Sequence, residues 1–519
     1  MALRAVGLCL SSFALYGCAS VLPLSGPVTK VEHLPEEGLR IGLVADSQLQ
    51  TRSNYNRVFG YSGEFEDFIV KTSVRPPALD WAARSMLRSD LERLHRQKSH
   101  AIFYLGDGAN NGCYDEFALG FQDGAKPGQN EQGVLALLDE FRTRTRVPVF
   151  FIIGNHDILG AGSTARTAQR NAFCEGSSSS NRSILKLEAM KLVDAFNRGN
   201  AAFAGTWRYR SNWDEATVGR ACGSDPQVQH RTSGCYLAAA VDYARGDDTA
   251  QILLLDTNDW ADVTDSNFVG LQQEGIRGAM SFVDVPDKQV VSQTTWFDRN
   301  ASGYVKLRVA LSHYDLAGLT KNLPLIGPVS HKTQLYMNLF TDGAQTRTPI
   351  QDEAYVATGH THVREIKSKS FTFKMDCGRF RCAKTNRFGI TELNVGSTTD
   401  YSNYATIARF EFGKGLAGGL SYSRVEGEPD GCADIWDAIS VQPFPRKLLG
   451  LYDRGWKAIG IDRAKRTNYH KFGPSDVQDL WANLDAYAGN DAHRANCIGR
   501  YAAAVEAGVD PLKRQSPQR

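Results

Sequence analysis

Five short polar clusters in this chain carry residue types that bind metals and move protons. They are Asp46-Ser47-Gln48, Gly106-Asp107-Gly108, Gly154-Asn155-His156-Asp157, Ser312-His313 and Gly359-His360-Thr361-His362. Carboxylate, amide oxygen and imidazole in this mixture suit divalent ions such as Mn, Fe and Zn. A carboxylate can bridge two ions, and neutral ligands keep the site from being overcharged. Two ions about 3.5–4 Å apart can then clamp a phosphoryl group. His360 and His362 are alternate residues, so in an extended segment their side chains point the same way. Taken singly, an Asp after a strand is most often a turn or cap residue, and a lone His is more often core or surface than ligand. The joint occurrence of these groups, each directly after a strand-like run, makes them candidates.

The elements that would position them follow from hydrophobic patterning. Residues 40–45, 101–105, 149–153, 305–311 and 355–358 are short apolar runs that read as buried strands, each ending in one of the clusters. Residues 78–97 place Leu79, Ala82, Ala83, Met86, Leu87, Leu91 and Leu94 at helical spacing, and residues 133–144 form a second helical stretch. Strand, helix, strand, helix, strand is the signature of a layered α/β fold, in which ligands bind at the C-terminal strand edge. Further strands are predicted over 235–241, 251–256, 389–395 and 407–412, and helices near 184–196 and 294–300. Residues 160–235 are rich in Ser, Gly, Asn and Arg and read as an insertion. Asp256, Thr257 and Asn258 also follow an apolar strand, where a structural role is favoured. Arg52, Tyr55, Arg57 and Arg364 flank the clusters and are weaker candidates for binding a phosphate.

In this order the five clusters resemble the calcineurin-like metallophosphoesterase superfamily, over roughly residues 38–415 of a domain that the resemblance places at 38–425. The resemblance implies an α/β (α+β) fold, a β-sandwich of two mixed sheets flanked by helices. It implies two divalent metal ions, with Asp107 bridging them, Asp46 and His362 on the first, and Asn155, His313 and His360 on the second. It further implies that a hydroxide between the metals attacks a phosphate ester in line, that His156 assists the leaving group as an acid, and that Asp157 orients His156. Where the family usually has Asp-x-His, this chain has Asp46-x-Gln48, so Gln48 offers a neutral carbonyl oxygen as its candidate ligand. Asn110 stands where the purple acid phosphatases carry a ligating Tyr, which implies no tyrosinate-to-iron colour. The competing reading, a lipid-anchored envelope scaffold on a catalytically decayed fold of this type, is motivated by Gln48, the insertion and the C-terminal region.

The chain has 519 residues, 42% apolar and 22% charged, with a formal net charge of +2. That balance argues against an extended nucleic-acid-binding face. Arg4 and the short apolar stretch after it form a targeting segment, too short for a stable membrane span. Leu15-Tyr16-Gly17-Cys18 resembles a bacterial lipoprotein signal, which implies a signal peptide over 1–17, lipid on Cys18 and a tether over 18–37. Ala19 after the Cys implies sorting to the outer membrane of a Gram-negative cell. An ordinary secretory signal is the alternative, and both readings place the protein outside the cytosol. Eight cysteines remain after Cys9 and Cys18, and an even number in an oxidising compartment suggests disulfides. Short separations favour Cys222–Cys235 and Cys377–Cys382; Cys113–Cys174 with Cys432–Cys497 is one of the three ways to pair the remaining four, and the sequence alone leaves that choice open. A zinc site is the weaker alternative, since the chain has no Cys-x-x-Cys pair. Residues 426–519 carry helical patches and read as a C-terminal helical extension.

Overall fold

The computed structural model describes residues 37–49, 80–122, 132–159, 174, 182–202, 206–222, 235–258, 292–301, 305–316, 339–340, 353–360, 364–374, 385–396, 404–412 and 415–423. The signal and tether, Cys18, His362, the pairs Cys377–Cys382 and Cys432–Cys497 and the C-terminal extension lie outside the described residues.

Twelve strands are described: β1 (Leu39–Val44), β2 (Ala101–Tyr104), β3 (Val149–Phe151), β4 (Trp207–Ser211), β5 (Ala239–Arg245), β6 (Asp248–Leu255), β7 (Leu307–Ser312), β8 (Glu353–Thr358), β9 (Arg364–Lys374), β10 (Thr385–Val395), β11 (Tyr404–Glu411) and β12 (Gly415–Ser423). They form two mixed sheets, ordered β12-β11-β1-β2-β3 and β4-β5-β6-β7-β8-β10-β9. In the first sheet β1, β2 and β3 run parallel while β11 pairs antiparallel to β1; in the second, β6, β7, β8 and β10 are parallel. The helices are α1 (Asp80–Arg96), α2 (Tyr114–Phe117), α3 (Val134–Thr145), α4 (Lys186–Arg198), α5 (Glu215–Cys222) and α6 (Gln293–Asn300). The expected sandwich of two mixed sheets flanked by helices is therefore present.

Side-chain alternation explains the layering, because successive residues of a strand face opposite ways. Phe103, Phe150, Leu254, Val309, Tyr355 and Phe410 belong to one buried cluster, to which both sheets contribute. Their neighbours Tyr104, Phe151, Leu253, Ala310 and Val356 belong to a second, shared with helix residues such as Leu87, Leu138 and Val193. Tyr355 of β8 meets Phe410 of β11 at a ring separation of 5.3 Å, one of the contacts that join the sheets. The register pairs Phe103 with Phe150 and Tyr104 with Phe151. Each pair stacks on its own face of the sheet, at 5.2 and 4.9 Å.

β3 is an edge strand, and its open backbone is closed by two side chains rather than by another strand. Asn197 of α4 accepts from the Phe151 N–H at 2.8 Å and donates to the Phe151 carbonyl at 3.0 Å. Asn200 does the same for Val149, at 2.8 and 2.7 Å. Two amides three residues apart thus imitate a partner strand, which protects the edge and fixes the strand that leads into Gly154. Asn197→Ala orphans two buried backbone groups, and a loss of about 2–4 kcal/mol in unfolding free energy is expected. Denaturant titration measures it, and a loss below about 1 kcal/mol would contradict this role.

The region read as an insertion contributes to the body of the fold. Its α4 packs on β3, and β4 forms an edge of the second sheet. The sequence Trp207-Arg208-Tyr209-Arg210-Ser211 alternates as a half-buried strand should, with the two aromatics inward. The Ser-, Gly- and Asn-rich residues before it hide that signal. Cys113–Cys174 and Cys222–Cys235 are both bonded, with Cα separations of 5.2 and 4.5 Å.

Candidate metal centre

The C-terminal ends of β1, β2, β3, β7 and β8 meet in one buried place. The loops after β1 and β2 zip together: the Asp46 N–H donates to the Gly106 carbonyl at 3.0 Å and the Gln48 N–H to the Asp107 carbonyl at 2.8 Å. Asp46, Gln48, Asp107 and His360 all have left-handed backbones, with φ of 57, 44, 58 and 66°. Such conformations are uncommon for residues with side chains and concentrate where a chain is held for function. Gly154 is required by proximity, since a Cβ there would overlap the Asp107 amide and carboxylate.

Asp107, His313 and His360 place one ligand atom each within 4.8 Å of one another. Asp107 Oδ1 accepts from the His156 N–H at 2.8 Å. Its Oδ2 is buried and faces His313 Nε2 at 3.3 Å. His313 Nε2 is also 2.9 Å from Asn155 Oδ1. On the other side of the ring, His313 Nδ1 lies 2.8 Å from the Leu105 carbonyl, which can only accept, so Nδ1 carries a proton. That contact fixes the tautomer in which Nε2 can ligate. Asp46 Oδ2 accepts from the His360 N–H at 3.1 Å, tying β1 to β8. Gln48 is buried, and its backbone is anchored on Asp107. A buried anionic oxygen facing imidazole nitrogen and amide oxygen is a donor set that fits a divalent cation.

Burial opposes ionisation of Asp107, but the charges of His313, His156 and His360 outweigh it and hold its carboxyl below the usual range. Burial opposes protonation of His313, yet the Asp107 carboxylate and its hydrogen bond raise it to about 9. In the metal-free protein the His313 charge therefore contributes stability that is fully present below its unfolded value of 6.5 and is lost as pH rises through about 9. A metal on Nε2 must displace that proton. Loading at pH 7 is expected to release about one proton per ion bound there, and affinity should rise with pH towards 9. Calorimetry in buffers of different ionisation enthalpy checks this; a heat independent of buffer would contradict it.

The Asp157 carboxylate accepts from the backbone N–H groups of Asp107, Ala109 and Gly154, at 3.0, 2.8 and 2.7 Å. Burial first, and then the Asp107 charge, pushes its carboxyl up to about 8 against the pull of those donors. The contact on the His156 ring comes from Asn110, whose carbonyl is 2.7 Å from Nδ1. Asp157 thus orders the loops, and Asn110 holds the ring. Asp256 pairs with the buried Lys186 at 3.2 Å and accepts from the Leu237 N–H at 3.0 Å. His100 accepts from the Arg40 N–H at 3.0 Å, and His95 packs on Phe141; neither joins the cluster.

No family model matches the chain, and no curated protein matches it. Among solved structures it is similar to a dimetal phosphatase from Danio rerio, with 11% identity over 75% of this chain and 99% of that one, at a TM-score of 0.29. It is also similar to PhoD, with 10% identity over 76% and 69% and a TM-score of 0.33. A third is the sulfate thiohydrolase SoxB of Thermus thermophilus in complex with glycerol, with 10% identity over 75% and 57% and a TM-score of 0.24. These likenesses are distant. The site's own geometry carries the reading of function.

Proposed function

We propose that this chain is a metal-dependent phosphoesterase hydrolysing phosphate esters outside the cytosol. The observation that carries the reading is the convergence of Asp107 Oδ2, His313 Nε2, Asn155 Oδ1 and His360 at the ends of separate strands. Asp107, Asn155, His313 and His360 would hold divalent ions, Mn, Fe or Zn, with Asp46, Gln48 and His362 completing two positions by their place in the sequence. Ions held there would supply Lewis-acid polarisation of a phosphoryl oxygen and a nucleophile at neutral pH. His156 is only half buried, with Nδ1 committed to the Asn110 carbonyl, which leaves Nε2 to protonate the departing oxygen. Asp157 keeps His156 in place through the backbone of both loops.

The test is hydrolysis of an aryl phosphate monoester and diester by chelator-treated protein with and without Mn. Metal-dependent turnover is expected, falling about 10²- to 10⁴-fold in His156→Ala. Absence of turnover with metal, or equal rates in both proteins, rules the reading out. The extracytosolic address is supported by two disulfides, which persist in oxidising compartments. Lipid on Cys18 at the outer membrane is part of the same proposal. Cys18→Ser is expected to move the protein to the soluble fraction, and unchanged membrane association would contradict it.

A further inference from the structure

We infer that Glu116 is a positioning residue for His156, acting through the Asn110 carbonyl. Glu116 is fully buried on α2. Its Oε2 accepts from the N–H groups of Asn110 and Asn111, at 3.2 and 2.8 Å, and its Oε1 accepts from Asn111 Nδ2 at 3.1 Å. The Asn110 N–H is shared with the Leu49 carbonyl at 2.9 Å. Asp157 takes the amides of Asp107 and Ala109, so two buried carboxylates grip four of the five amides between Asp107 and Asn111. The peptide that follows Asn110 N is thereby fixed at both ends, and its carbonyl faces His156 Nδ1 at 2.7 Å.

A carbonyl only accepts, so Nδ1 must keep its proton, and the proton that the ring gives and regains is the one on Nε2. These bonds of Glu116 go to Asn110 and Asn111. Its effect runs through the orientation of one peptide, and a Gln at 116 cannot accept all three donors because its amide nitrogen is itself a donor. The inference rests on the phosphoesterase reading for the use of the Nε2 proton, but not for the tautomer.

Ring ¹⁵N NMR of His156, assigned by its loss in His156→Ala, tests the tautomer directly. The wild-type ring is expected to be protonated on Nδ1 when neutral, and Glu116→Gln is expected to shift population towards Nε2–H. A neutral ring protonated on Nε2 in the wild type overturns the inference without any variant having to fold, and so does an unchanged ring in a folded Glu116→Gln. In steady-state assays Glu116→Gln is expected to lower kcat for a phenyl phosphate about tenfold or more. It is expected to affect an activated nitrophenyl ester less and to leave metal content unaltered. In a His156→Ala background the same substitution is expected to cost nothing further, since residues acting as one unit are not additive. Equal losses in both backgrounds would assign Glu116 a merely structural role. A wild-type protein with the expected tautomer but no turnover would sink the phosphoesterase reading and leave the positioning one standing.

Discussion

Asp107→Asn is expected to remove most of the bound metal and to lower kcat/KM for phosphate esters by about 10³-fold or more. The substitution keeps the shape of the side chain. Oδ1 can still accept from the His156 N–H, as it does at 2.8 Å. The position of Oδ2, buried and 3.3 Å from His313 Nε2, becomes an amide nitrogen that donates where an electron pair is needed. A site that gathers imidazole and amide around one buried anion loses the charge that attracts a cation. With the carboxylate gone, the cause that raises His313 to about 9 also goes, so burial favours its neutral form. Elemental analysis and kinetics on the same preparation give the result. Wild-type turnover with a full complement of metal would show that Asp107 is not a ligand.

The largest stability effect is expected at Lys186, away from the proposed chemistry. Its side chain is fully buried at the start of α4, with Nζ 3.2 Å from Asp256 Oδ2 and 2.7 Å from the Asn258 carbonyl. Asn258 Nδ2 donates to the carbonyl of Ile153, the residue before Gly154. Lys186→Met leaves the Asp256 carboxylate buried without its cation, and removing one partner of such a pair costs about 3–5 kcal/mol. Lys186→Met with Asp256→Asn is expected to recover a large part, because the stranded charge is gone. Chemical denaturation of the two proteins decides it, and a single variant within about 1 kcal/mol of wild type would mean the pair is dispensable.

The strand ends that carry Asp46, Asp107, Asn155, His313 and His360 are legible in the chain because each is local: an apolar run of strand length, then a turn with a ligand. The layered architecture follows from the same alternation. What escaped were partners far apart in sequence. Nothing near Phe151 announces that Asn197 closes its edge, and nothing near His156 announces that the Asn110 carbonyl holds its ring. Lys186 lies 70 residues from Asp256, on the helical segment expected near 184–196, and nothing local announces its partner. Glu116 looks like an ordinary surface acid until α2 turns it inward. The disulfides were legible in part: a separation of 13 marks Cys222–Cys235, whereas Cys113–Cys174, 61 residues apart, was one of three open pairings that the fold decides.

The central claim is that these strand ends hold divalent metal. It is tested most directly by anomalous scattering from crystals of the protein loaded with Mn, in parallel with elemental analysis of the same sample after dialysis. The expected result is bound Mn with an anomalous peak in contact with Asp107 Oδ2 and His313 Nε2. Folded protein that retains no metal after loading, or a peak only elsewhere, would contradict it.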